Sequence, residues 1–171
     1  MNRIAVVRGA PSAAIQELFR TLVARWRPAA RIAGVVAEEH GLPDRTCRAG
    51  YLRSIVSGAR YSIFQDPGPG AEGCHVEAEG ALFASLAVEH DILDGCDLAV
   101  LSKFGKLEAA REGLAGAFHV ALTAKVPLLT SVSPALERAW TEFPAPRFDV
   151  LPAEIGSIET WWRGVRHETA H

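Results

Sequence analysis

The sequence predicts an α/β protein in three layers, with a mostly parallel sheet covered by helices on both faces and one inserted β-hairpin. Two observations support this fold class. Short apolar or β-branched runs alternate along the chain with longer segments whose apolar residues repeat at helical spacing. The exception is a pair of short strand-like runs on either side of Ser57 and Gly58, which predicts a hairpin. Strands separated by helices pair in parallel, so this hairpin is the one antiparallel part that we expect.

In the first half of the chain, strands are predicted where apolar residues follow one another, and a helix where they recur every three or four positions after Pro11. These patterns give a strand at residues 4–7, a helix from Pro11 to Trp26, a strand at 31–37, a polar loop at 38–48 and hairpin strands at 51–56 and 60–64.

The second half opens with residues 66–73, which are too rich in Gly and Pro for regular structure. The same patterns then give a helix at 78–93, a strand at 98–101, a helix at 107–125, a strand at 126–132, a helix at 134–143 and a short strand at 148–151. An amphipathic helix that opens at Pro152 ends the chain.

Composition predicts one globular domain over residues 1–171, because 49% of the residues are hydrophobic and 22% are charged. The formal net charge of −2 supplies no overall basic field for nucleic acid or for a membrane surface, so we expect neither partner. The N-terminus has too few apolar residues before Gly9 for a secretion signal, which predicts a cytoplasmic protein. Cys47, Cys74 and Cys96 are odd in number and form no CxxC pair, so reduced thiols are expected.

The loop after the first strand occupies the place of a nucleotide-binding P-loop. The motif G-x-x-x-x-G-K-[ST] can be laid on residues 9–16, where only Gly9 is retained and Ala14, Ile15 and Gln16 replace the second glycine, the lysine and the hydroxyl. Conventional hydrolysis of a nucleoside triphosphate is therefore not expected. The start of the helix near Pro11 still offers backbone N–H groups for a phosphate or another oxyanion, although a plain strand-to-helix turn explains it equally well.

Two lysines, Lys103 and Lys106, follow the strand at 98–101. Ligands of open α/β sheets bind at the carboxyl ends of the strands, so these cations indicate an anionic ligand beside the Gly9 loop. A hydrolase would carry a magnesium-binding acid there, which again argues against hydrolysis. The alternative is a pair of solvated lysines with Glu108 and Glu112 as helix partners.

Gly68, Gly70 and Gly73 satisfy the dinucleotide pattern G-x-G-x-x-G, but Pro69 lies inside it and the helix begins too late. A loop that covers a ligand is one interpretation of this segment, and an ordinary connection is the other.

A metal site is a further hypothesis. His40, Cys47, Cys74 and His75 carry ligands that zinc prefers, but their spacing is irregular and two loops would have to meet. Surface histidines and buried cysteines are the more frequent outcome.

Three segments resemble a bacterial family known as domain of unknown function 2478: QDPGPGAEGC at 65–74, DLAVLSKFGKLEA at 97–109 and VPLLTSVSP at 126–134. The resemblance runs from Ile4 to about Val165. That family is similar in layout to the small THEP1-type P-loop nucleoside triphosphatases, and its members often lie near molybdenum-transport genes. The resemblance implies a P-loop-like fold with a degenerate Walker A loop and a nucleotide or an oxyanion such as molybdate as ligand. The motif positions that it suggests, without a catalytic role, are Gln65, Asp66, Gly68, Gly70, Lys103, Gly105, Lys106 and Glu108.

Three functional hypotheses follow. The first is a cytoplasmic protein that binds a nucleotide or a small oxyanion through these positions, Gly9 and Ser12. The second is an unorthodox nucleoside triphosphatase or phosphotransferase, with Glu38 or Glu108 for proton transfer and a lysine for charge stabilisation. The third is a non-catalytic homodimer joined through the C-terminal helix around Trp161 and Trp162.

Overall fold

The computed structural model describes residues 1–43, 49–64, 78–143 and 147–170. In these ranges, α-helices pack against one seven-stranded sheet. The strands are β1 (Ile4–Arg8), β2 (Ile32–Glu39), β3 (Ala49–Ser54), β4 (Arg60–Ser62), β5 (Leu98–Phe104), β6 (Leu128–Val132) and β7 (Phe148–Pro152). The α-helices are α1 (Ser12–Trp26), α2 (Ala78–Leu93), α3 (Lys106–Ala109), α4 (Ala115–Thr123), α5 (Glu137–Glu142) and α6 (Ile155–Thr169), and a 3₁₀ turn (Pro134–Leu136) precedes α5.

The strand order is β4-β3-β2-β5-β6-β1-β7. The five strands from β2 to β7 in this order are parallel, whereas β3 and β4 form an antiparallel hairpin on the outer side of β2. The predicted α/β class, with a mostly parallel sheet and an inserted hairpin, is therefore confirmed. Because β1 lies between its parallel neighbours β6 and β7, the loop that follows β1 opens at the carboxyl edge of the sheet, as in the P-loop nucleoside triphosphatases.

Side chains of β1 alternate between two cores, one on each face of the sheet. Ile4 and Val6 face a core that includes α2, α4 and α5, whereas Ala5 and Val7 face one formed with α1 and α6. Two layers of helices therefore enclose the sheet.

Several predicted boundaries and one predicted helix are wrong. β2 runs on to Glu39, and β5 runs on to Phe104, so both strands extend into residues predicted as loop. The helix predicted at 107–125 is two helices, because positive φ angles of 64° at Arg111 and 58° at Gly113 turn the backbone out of α3 before α4 begins.

The tryptophans of α6 are packed inside the protein. Trp161 and Trp162 are 2% and 3% exposed, and the ring of Trp162 lies 5.7 Å from that of Trp26 on α1. These two side chains therefore pack in the core of the chain rather than at an exposed face, and the hypothesis of a homodimer stays a prediction. Large exposed apolar side chains lie instead on α2, at Leu82, Phe83, Leu86 and Leu93.

Within the part of the chain that the structure describes, no helix combines the length and the apolar character needed to cross a membrane.

Candidate functional site

The loop between β1 and α1 begins with Gly9, whose positive φ angle is a backbone conformation that favours glycine. Gly9 has a φ angle of 93°, and no heavy atom lies within 4 Å of the position that a Cβ would take, so the constraint is conformational rather than steric. The backbone N–H groups of Ala14 and Ile15 both donate to the carbonyl oxygen of Pro11. No side chain caps the first turn of α1, so its positive dipole end faces the loop.

This loop forms one wall of a cleft of about 120 Å³ at the carboxyl edge of the sheet. The ends of β5 and β6 form the opposite wall. The residues that line the cleft include Arg8, Gly9, Ser12, Lys103, Ser131 and Ser133. Three residues singled out from the sequence, Gly9, Ser12 and Lys103, are therefore brought together.

A β-bulge in β5 positions Lys103. The pairing of β5 with β6 shifts between Leu101 and Phe104, so β5 carries an extra residue there. The carbonyl oxygen of Ser102, freed from the ladder, accepts hydrogen bonds from Gln16 Nε2 at 2.7 Å and from Ser131 Oγ at 2.9 Å. These two bonds satisfy the carbonyl oxygen of Ser102 at the bulge. They fix the backbone next to Lys103, which lines the cleft.

Gln16 and Ile15, the residues that the sequence analysis aligned with the hydroxyl and the lysine of the P-loop motif, both have structural contacts. Besides its bond to Ser102, Gln16 accepts a hydrogen bond from the backbone N–H of Ala37 through Oε1. It therefore ties α1 to both β5 and β2. Ile15 is 5% exposed and packs in the core beneath α1. Neither side chain supplies the charge or the hydroxyl that nucleotide hydrolysis uses at these positions.

Arg8 is a residue of the site that the sequence analysis missed. It ends β1, lines the cleft and forms an ion pair from Nη1 to Glu137 Oε1 at 3.3 Å. Its Nε is buried and has no hydrogen-bond partner among the described residues. The available signal was an arginine that interrupts a β-branched strand immediately before Gly9.

Lys106 and Glu108 do not take part in the cleft as the sequence suggested. Lys106 is exposed on α3 and does not line the cleft. Glu108 is 6% exposed, and its carboxylate accepts hydrogen bonds from the backbone N–H groups of Gly105 at 2.9 Å and Leu114 at 2.8 Å. Burial raises the pKa of Glu108 despite these bonds. Glu108 is therefore a buried carboxylate that caps backbone N–H groups, and the nearby charge of Lys103 acts to lower its pKa against the effect of burial.

Glu38 serves the edge hairpin rather than the cleft. Its carboxylate accepts a hydrogen bond from Arg53 of β3 and lies 3.8 Å from Nε of Arg60 on β4. The hydrogen bond from Arg53 lowers the pKa of Glu38. A paired carboxylate of this kind is ionised at neutral pH and poorly suited to proton transfer.

Several candidate residues lie outside the described ranges: Gln65, Asp66, Gly68, Gly70, Cys47, Cys74 and His75. His40 is described, and its Nδ1 accepts a hydrogen bond from the backbone N–H of Leu42 at 2.9 Å while its ring stacks on Phe64. In the ranges that the structure covers, no group of three or more His, Cys, Asp or Glu residues could hold a metal ion.

Fold and cleft together define a P-loop-like α/β protein with cationic side chains at the carboxyl edge of its sheet. The chain belongs to the family described as protein of unknown function DUF2478, whose model matches residues 4–161. It is 34% identical over 169 residues to a protein of Bradyrhizobium diazoefficiens named molybdenum import ATP-binding protein ModC 2. That match covers 95% of this chain but 18% of the relative, so the chain spans less than a fifth of the relative's length. No solved structure matches the chain.

Proposed function

We propose that this protein binds a small anionic ligand, either an oxyanion such as molybdate or the phosphate of a nucleotide, in the cleft beside Gly9 and without efficient turnover. One observation carries the proposal. Lys103 is held by the β5 bulge on the same cleft that the Gly9 loop and the uncapped start of α1 enclose. A cation and a helix N-terminus that face one small cleft form a favourable environment for a negative charge.

The choice of ligands follows from the relative. Its name contains both molybdenum and ATP, and molybdenum in neutral water is the tetrahedral oxyanion molybdate. Both ligands carry negatively charged oxygens, which is the chemistry that Lys103 and backbone N–H groups recognise. A role in molybdenum handling in the cytoplasm is part of this proposal.

Binding is favoured over turnover because the acids considered for catalysis are engaged elsewhere. Glu38 is paired with Arg53 and Arg60 on the hairpin, and Glu108 caps two buried backbone N–H groups. Neither residue lines the cleft. The positions of the P-loop lysine and hydroxyl hold Ile15 and Gln16, which have packing and bridging contacts.

Calorimetric titration of the protein with molybdate, phosphate and ATP tests the proposal. Lys103→Ala should weaken the binding of whichever anion binds by about tenfold or more, since a charge-assisted hydrogen bond contributes about 1.5–3 kcal/mol. Lys106→Ala is the matched control, because Lys106 has the same charge and lies outside the cleft. Its affinity should stay within about twofold of wild type, as expected for a screened charge.

Failure of all three anions to bind saturably would refute the proposal. Equal affinity of wild type and Lys103→Ala would do the same, because it would place the bound anion elsewhere. Circular dichroism of each variant checks that the fold is retained.

A further inference from the structure

We infer that Arg8 is a second ligand-binding cation of the cleft, that its ligand is a single tetrahedral oxyanion, and that Glu137 competes with this ligand for the guanidinium. The inference rests on the proposed function and specifies how the same cleft works. A bound oxyanion would replace the Glu137 carboxylate as the partner of Arg8, so the protein contains an internal competitor for its own site.

The hydrogen-bonding state of Arg8 is the first argument. The guanidinium presents five N–H donors in a rigid fork, which suits two oxygens of one anion. Nη1 faces Glu137 at 3.3 Å, whereas Nε is buried and lacks a hydrogen-bond partner within the described ranges. Buried donors in native proteins are nearly always paired with protein groups or with water, so Arg8 has donor capacity left for an acceptor that enters the cleft it lines.

The position of Glu137 is the second argument. Glu137 begins α5, three residues after Pro134, which lines the cleft together with Ser133. The side chains of Arg8 and Glu137 are 32% and 47% exposed. An ion pair this accessible contributes little to stability, so an incoming anion can take the place of the carboxylate without disturbing the core.

The size of the cleft is the third argument. Its volume of about 120 Å³ is well below the roughly 300–1,000 Å³ of sites that enclose a whole organic ligand. It suits one tetrahedral oxyanion or one phosphate group. Two cations, Arg8 and Lys103, match the two negative charges of molybdate.

Matched variants on α5 make the experiment specific. Arg8→Gln and Glu137→Gln change the proposed pair, whereas Arg138→Gln and Glu142→Gln change an exposed arginine–glutamate pair of the same helix that lies outside the cleft. Molybdate and inorganic phosphate are titrated into wild type, these four variants and the double variant of Arg8→Gln and Glu137→Gln, and ATP into wild type.

Arg8→Gln should weaken molybdate binding by about tenfold or more, because a charge-assisted fork is lost. Glu137→Gln should tighten it by about twofold to fivefold, the factor expected for release of a partly exposed ion pair. The two control variants should bind like wild type. In the double variant of Arg8 and Glu137 the gain from Glu137→Gln should disappear, since the two residues act on one interaction. ATP should bind no more tightly than phosphate.

The outcomes separate this inference from the proposed function. Wild-type affinity in Arg8→Gln, or no gain in Glu137→Gln, overturns the inference while a loss in Lys103→Ala still supports the proposed function. ATP binding at least tenfold tighter than phosphate overturns the single-oxyanion part. Absence of binding to wild type overturns the proposed function and the inference with it. Glu137→Gln is an exposed substitution, so it keeps the test decisive even where Arg8→Gln fails to fold.

Discussion

Glu108 shows how one side chain can support a change of direction in the backbone. Its two carboxylate oxygens accept from Gly105 and from Leu114, which lie on either side of the break between α3 and α4. A Cβ at Gly113 would lie 2.3 Å from Glu108 Oε2, so the glycine leaves room for the carboxylate as well as allowing the positive φ angle. Both buried N–H groups depend on this one acid.

Replacing Glu108 should therefore cost stability in a pH-dependent way. Glu108→Gln keeps one acceptor oxygen but turns an N–H donor toward the other backbone N–H, which should lower the free energy of unfolding by about 1–3 kcal/mol at neutral pH. Because burial raises the pKa of Glu108, the folded protein binds more protons than the unfolded chain between the ordinary pKa and the raised one. The contribution of Glu108 protonation to the free energy of unfolding is complete at pH values below the ordinary pKa. It is lost as the pH rises through the pKa of the folded protein.

The difference between wild type and Glu108→Gln should thus widen as the pH falls from neutral toward the ordinary pKa of a glutamate. Urea unfolding of both proteins across this range measures it. Glu112→Gln, which changes an exposed acid four residues away in the same connection, is the control and should follow the wild-type pH curve. Parallel curves for wild type and Glu108→Gln would contradict the argument.

At the scale of elements, ion pairs as well as the backbone hydrogen bonds of the β-ladder connect the edge hairpin to the rest of the sheet. Glu38 of β2 meets Arg53 of β3 and Arg60 of β4, and the guanidinium of Arg60 also stacks over the ring of Tyr51 at 3.9 Å. Charged side chains on an edge strand also discourage pairing with another chain. Glu38 is therefore the common partner of both hairpin strands.

Glu38→Gln should loosen the hairpin without unfolding the protein. Amide hydrogen exchange in β3 and β4 should become faster by about twofold to fivefold at neutral pH, the range for a partly exposed ion pair, while exchange in β1 and β6 stays unchanged. The Arg53 hydrogen bond lowers the pKa of Glu38, so its contribution is present above the ordinary pKa and is lost as pH falls through the folded pKa. The effect should fade in acid.

Hydrogen exchange followed by mass spectrometry compares the two proteins, with Glu39→Gln as the control on the exposed neighbouring position. Equal hairpin exchange in Glu38→Gln and wild type would show that the ladder alone holds β3 and β4.

Elements whose pattern is local could be predicted from the sequence, whereas those shaped by distant contacts could not. The helix α2 has the predicted bounds, Ala78–Leu93, because its composition favours a helix throughout. The end of β5 was missed because Ser102 and Lys103 are polar and their backbone is satisfied by Gln16 and Ser131 from other elements. The break before α4 depends on Glu108, whose partners lie three and six residues away.

The same distinction applies to the cleft. Gly9 and Lys103 were brought together correctly, because the carboxyl ends of parallel strands meet at one edge of a sheet. Lys106 was included with them because it is close to Lys103 in sequence, although one further turn of chain carries it out onto α3. Arg8 was missed because its unpaired Nε is a property of packing, which no spacing rule reports.

At the scale of the molecule, hydrogen bonds connect the N-terminal and C-terminal parts of the described chain. Trp161 on α6 donates a hydrogen bond from Nε1 to the carbonyl oxygen of Asn2 at 2.9 Å, and Asn2 donates from its backbone and its side chain to Asp149 on β7. Next to this contact, Trp162 packs on Trp26 and completes the core beneath α1. One face of the C-terminal helix is thus part of the core.

Trp162→Ala should consequently destabilise the monomer fold rather than change its association. Removing a tryptophan that is 3% exposed should lower the free energy of unfolding by about 3–5 kcal/mol. Trp162→Phe should cost less, because Nε1 of Trp162 is buried without a hydrogen-bond partner among the described residues and phenylalanine removes that unpaired donor. Leu93→Ala is the control: Leu93 is 72% exposed, so its loss should change stability by less than about 0.5 kcal/mol.

Urea unfolding gives the free energies, and light scattering compares the molar mass of each variant with that of wild type. A reduced molar mass in Trp162→Phe with near-normal stability would show that this face holds two chains together, and would contradict its place in the core.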